Sequence, residues 1–159
     1  MKKLLLALLL FVFTVSNAQA AESLVQSIQS SGSYHTYTLV WVTGAAGGFT
    51  ATELSQNIDG IVILVEFIPS ASAAPTTLYD ITLRASGSGV DVLGDTGPAG
   101  TEGYDGAGAN LSATVASHSQ PLLNGNYCAV PVMGKLTIDV LNGGNDKGGT
   151  VKIHFLSIN

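Results

Sequence analysis

KLTIDVL at residues 135–141 and VKIHFL at residues 151–156 decide the fold. In the first run Leu136, Ile138 and Val140 alternate with Lys135, Thr137 and Asp139. In the second, Val151, Ile153 and Phe155 alternate with Lys152 and His154. A period of two puts one set on a buried face and the other on a solvated face, which is the pattern of a half-buried β-strand. Between them lies NGGNDKGGT, residues 142–150. Asn and Gly accept positive φ at little cost, so the reading is an antiparallel C-terminal hairpin with Asp139 facing Lys152 across the strands.

The same rhythm extends toward the N-terminus. TLYDITLR (residues 77–84) sets Tyr79, Ile81 and Leu83 against Asp80, Thr82 and Arg84. YHTYTLVWV (34–42) and FTATEL (49–54) are β-branched and aromatic, and VDVL (90–93) is a short strand candidate. GIVILVEFI (60–68) is almost wholly apolar, which predicts a central strand covered on both faces. YCAVPVM (127–133) carries Pro131, which lacks a ladder donor and marks an edge or a bend. AESLVQSIQS (21–30) sets Leu24, Val25 and Ile28 on one side of a short helix, or forms a frayed leader. About eight short strands with frequent turns and no crossover helices predict an all-β antiparallel β-sandwich or jelly-roll-like domain over residues 33–159, preceded by a leader at 21–32.

Residues 1–20 read as a signal peptide. Lys2 and Lys3 precede an apolar run at residues 4–15, and Ala18 and Ala20 stand at −3 and −1 of a cut before Ala21. A spanning helix needs about 20 apolar residues, so this run is too short for an anchor. The expectation is an exported chain, periplasmic, extracellular or virion-associated, with no membrane insertion after cleavage. Lys2 and Lys3 leave with the signal, so Arg84, Lys135, Lys147 and Lys152 face 11 acidic residues, a net charge of −7. That balance excludes a phosphate-binding surface and hence nucleic-acid partners. Cys128 is the single cysteine, so no disulfide forms within the chain; it is a buried thiol, a free thiol or an intermolecular link.

Residues 94–110, GDTGPAGTEGYDGAGAN, break the strand rhythm. Asp91, Asp95, Glu102, Asp105 and Asn110 offer hard oxygen ligands for calcium, although their spacing is that of no EF-hand. The alternative is a solvated loop. Trp41 and Tyr37 share one face of their strand and form either an aromatic platform for carbohydrate or part of the core. His35, His118 and His154 are scattered, and His154 reads as an ordinary outward-facing histidine, so zinc is not expected. No G-x-S-x-G elbow or P-loop is present. Asp80 and Asp91 are the carboxylates on which a small hydrolase would depend.

Several segments taken in order carry a likeness. They are GFTAT (48–52), APTTLYDITL (74–83), GVDVL (89–93), GAGAN (106–110), GKLTI (134–138) and NDKGGTV (145–151). This succession resembles small β-rich proteins encoded in the structural gene clusters of tailed bacteriophages, over about residues 40–155. The resemblance implies a virion-associated or assembly-accessory role and supplies no catalytic residues. The reading is therefore a non-enzymatic exported structural or interaction protein that presents sheet edges, such as residues 49–54, to a protein partner or to its own copies. The alternatives are a carbohydrate- or calcium-binding module and a small hydrolase.

Overall fold

Period-two patterning is realised as two antiparallel sheets that share one core. The computed structural model describes residues 21–93, 111–119, 122–123, 126–127 and 129–158. The strands are β1 (Ser23–Ser31), β2 (Tyr34–Val42), β3 (Phe49–Glu53), β4 (Gly60–Pro69), β5 (Asp80–Ala85), β6 (Ser117–Ser119), β7 (Leu122–Leu123), β8 (Asn126–Tyr127), β9 (Val130–Val132), β10 (Leu136–Leu141) and β11 (Gly148–Ser157). The large sheet runs β1-β2-β11-β4, with β6 and β9 both on the outer edge of β4. The small sheet runs β3-β10-β5, and β7 and β8 pair with each other. The described residues contain no helix.

The core is the set of inward positions of both sheets. Tyr37, Leu39 and Trp41 of β2, Val151, Ile153 and Phe155 of β11, and Val62, Val65 and Phe67 of β4 meet Phe49, Ile81, Leu83, Leu136, Ile138 and Val140 of the small sheet. Burying each such side chain is worth about 1.5–3 kcal/mol against leaving it in water. Tyr79 and Trp41 pack with ring centroids 5.8 Å apart, and burial pushes the Tyr79 hydroxyl up to about 12.

Four expectations are corrected. Residues 21–30 are neither helix nor leader: they form β1, paired to β2 over its whole length. Leu24, Gln26 and Ile28 are its inward set, and polar Gln26 in that row hid the period of two. Gly32, at φ 60, opens the two-residue turn, a conformation that costs glycine little.

The C-terminal strands are not a hairpin, because β10 lies in the small sheet and β11 between β2 and β4. The intervening chain crosses between sheets through positive φ at Asn142, Gly144 and Asp146. It is anchored on the buried Thr43, whose hydroxyl donates to the Gly144 carbonyl and accepts from the Lys147 N–H at 3.1 Å. Lys152 therefore faces Glu66 rather than Asp139. Burial raises the Asp139 carboxyl above its ordinary range, against the pull of Arg84.

β4, apolar except for Glu66, is buried on one face rather than on both. Its register on β11 shifts between His154 and Phe155, where His154 faces Leu64 and Phe155 faces Val62. The bulge moves the inward set from Val62 to Val65 and Phe67, while Ile61, Ile63, Leu64 and Ile68 remain partly exposed on the outer face. VDVL is not a strand either: Asp91 makes one isolated bridge to Arg84, and the chain then turns.

Candidate functional site

Among the described residues the two packed sheets present four edges, and three of them are closed. On β5 the backbone of the following turn takes the outer edge: Ala85 N–H donates to Val90 O and Val92 N–H to Leu83 O, both at 2.8 Å. On β3, only five residues long, the Glu22 carboxylate accepts from the Thr50 N–H at 3.0 Å and from its hydroxyl at 3.1 Å. Glu53 on the same strand pairs with Lys135 at 3.1 Å, and that bond is the main cause of its lowered pKa. On the far side of the large sheet, β6 and β9 are three residues each, and Pro131 has no N–H to offer. Short strands, prolines, charges and covering loops are the usual protections of an edge.

β1 has none of these. It is nine residues long, it pairs with β2 without a shift in register, and SLVQSIQSS contains no charge and no proline. Among the described residues, none of the backbone hydrogen bonds outside the strands reaches it. The two-residue turn makes Ser31 and Tyr34 the closing pair. Alternation then aims the N–H and C=O groups of Leu24, Gln26, Ile28 and Ser30 away from β2. The strand is held rigid from beneath. Tyr37, 1% exposed, donates its hydroxyl to Gln26 Oε1 at 2.7 Å, and the same oxygen accepts from the Ser55 N–H at 2.8 Å.

A polar strip crosses the outer face of the same sheet. His154 stands on β11 with Thr36 of β2 opposite, while Tyr34 and Glu66 reach it diagonally from β2 and β4. Its Nε2 lies 2.9 Å from Glu66 Oε2, and its Nδ1 lies 2.6 Å from the Tyr34 hydroxyl and 3.2 Å from Thr36 Oγ1. Lys152 adds a 3.8 Å ion pair to Glu66. The tautomer that satisfies both sides has Nε2–H donating to Glu66 and Nδ1 accepting from a hydroxyl. Such an order, hydroxyl to imidazole to carboxylate, is that of an activated nucleophile. β2 and β11 are interior strands, so their ladders take up the backbone amides around the strip, and the side-chain donors beside it are Lys152 and Thr36. The strip can position and recognise polar groups. His154 is therefore not an ordinary surface residue, since its side chain is only 12% exposed.

The other expected site residues fall as follows. Trp41 and Tyr37 are each 1% exposed and belong to the core, so neither offers a ring face to a sugar, a correction of the platform reading. Asp91 Oδ1 accepts from the Leu93 N–H at 2.8 Å, and Oδ2 lies 3.9 Å from Arg84 Nε, so this carboxylate already holds its own turn. Asp80, 4% exposed, accepts from Asn142 Nδ2 at 2.8 Å. Asp95, Glu102, Asp105, Asn110 and Cys128 lie outside the described residues, as do residues 1–20. A shallow apolar groove of about 490 Å³ opens where Val90 and Val92 approach Val130, Pro131 and Met133. No helix among the described residues is long and apolar enough to cross a membrane.

The bare edge and the strip were missed by sequence reasoning for different reasons. The strip joins residues 88 and 120 positions apart, which no local pattern reports. The edge did carry a signal: Leu24, Gln26 and Ile28 keep a period of two once a polar residue is allowed on the inward face. Compared with family models, with curated proteins and with solved structures, the chain matches none.

Proposed function

We propose that this chain is an exported, non-enzymatic structural or interaction protein, a β-sandwich of the phage-like, virion-associated or assembly-accessory kind, and that it works through strand pairing. The observation that carries the proposal is the asymmetry of its edges. Three are closed by loops, charges, proline or brevity, while β1 keeps a nine-residue uncharged ladder open. A free ladder is a template for another strand, and proteins that have no use for one close it. Export follows from the reading of residues 1–20 as a signal peptide, and the phage-like role from the resemblance of segments between residues 40 and 155.

Fractionation of the producing cells and their medium tests this reading. The expected result is a chain beginning at Ala21 that co-sediments with particles or with a protein complex. A chain retained in the cytoplasm, or a free exported monomer that turns over an ester or a glycan and loses that activity on His154→Ala, contradicts it.

A further inference from the structure

We infer that the occupant of the β1 edge is a second copy of this chain, paired antiparallel through β1 about a two-fold axis at Gln26, so that the two large sheets join into one. The inference rests on the interaction-protein reading above and names its partner. The outward-directed backbone groups belong to Leu24, Gln26, Ile28 and Ser30. Placing the axis at Gln26 sets Gln26 against Gln26, Leu24 against Ile28 and Ile28 against Leu24 of the second copy. Each of these is then a hydrogen-bonded pair that uses only outward groups.

The side chains agree with that register. Leu24 and Ile28 are only partly covered by their own core, and each meets its apolar counterpart across the seam. On the outer face Val25 is 64% exposed and its β2 neighbour Val40 is 44% exposed; pairing lays Ser27 of the second copy beside Val25.

Charge argues for self-pairing as well. Two chains of net charge −7 repel at long range, so a homotypic contact is best made where each surface is neutral. β1 is that surface. Its nearest carboxylate, Glu22, falls opposite Ser30 of the second copy. The two Glu22 side chains therefore sit about 27 Å apart, well beyond a Debye length of about 8 Å. The Glu22 carboxylate is moreover turned onto Thr50 of β3 rather than along the edge. An edge pairing of this length makes a small interface, so association in the micromolar range is expected rather than an obligate dimer.

The test is sedimentation velocity on the purified protein, expressed from the full chain, over a micromolar to submillimolar series. The native protein is expected to pass from monomer to dimer. In the proposed register Val25 of one chain faces Ser27 of the other twice. The double variant Val25→Lys, Ser27→Lys therefore places like charges opposite each other, weakening association by roughly tenfold or more. Both side chains point to solvent in the monomer, so its melting temperature and circular dichroism should not change. The variant Val25→Glu, Ser27→Lys places opposite charges together and should recover the dimer. A native protein that stays monomeric throughout, or a double-lysine variant that dimerises as well as the native one, overturns the inference. Failure of the charge-swapped variant to recover overturns the Gln26 register. None of these outcomes touches the fractionation result, which alone decides the broader reading.

Discussion

The two edges of the large sheet are built to opposite specifications. On one side β4 is met by β9 at Gly60–Val62 and by β6 at Val65–Phe67, two fragments of three residues with Pro131 in one of them. On the other, β1 runs nine residues in unbroken register, without charge or proline. Both edges border the same core and both could template another strand. Only one is equipped to prevent it. The difference teaches that exposure of a ladder is a choice made locally, residue by residue, and that the protected edges are the control against which the open one is read.

The largest expected effect comes from the inner seam of β4, where it packs on β11. A Cβ on Gly60 would lie 2.3 Å from the Leu156 carbonyl oxygen, a backbone atom with no room to retreat. Gly60→Ala should cost about 3 kcal/mol in urea unfolding and loosen β4 from β11. Next is the anchor beneath the open side. Tyr37→Phe deletes the buried hydroxyl that bonds Gln26 and lies 3.0 Å from Ser55 Oγ. The expected loss is about 1–2 kcal/mol, with faster amide exchange along β1. A sharper test makes the protected edge resemble the open one. Pro131→Val supplies the missing N–H on an exposed position of β9 and should leave stability within about 1 kcal/mol while raising concentration-dependent association. If association does not rise, proline is not what closes that edge. The smallest effect belongs to the outer face. Glu66→Gln removes the charge beside His154 and Lys152 but keeps an acceptor for Nε2–H. Because these groups are partly solvated, the loss should stay below about 1 kcal/mol, and association through β1 should not change.

Much of this architecture could be read from particular segments. TLYDITLR and KLTIDVL declare their inward faces, and Pro131 declares its edge. Other segments misled for physical reasons. NGGNDKGGT reports that the backbone must visit positive φ, which Asn142, Gly144 and Asp146 do. Turn chemistry does not report which sheet the next strand enters. GIVILVEFI looked doubly buried because a bulge moves its inward set from Val62 to Val65 and Phe67 and its outer face also carries partly exposed Ile61, Ile63, Leu64 and Ile68. AESLVQSIQS looked helical because Gln26 holds an inward position, and its partners Tyr37 and Ser55 are distant in sequence. The His154 strip was illegible for the same reason: Tyr34, Glu66 and His154 become neighbours only when β2, β11 and β4 are in register.

The central claim concerns which amides along β1 are free. Residue-resolved hydrogen exchange, measured on the native protein at low and high concentration, addresses it directly. The account predicts that Val25, Ser27 and Gln29, which bond β2, are protected at both concentrations. Leu24, Gln26 and Ile28 should exchange quickly when dilute and become protected when concentrated. Fast exchange at Leu24, Gln26 and Ile28 at every concentration would contradict pairing of this edge between copies.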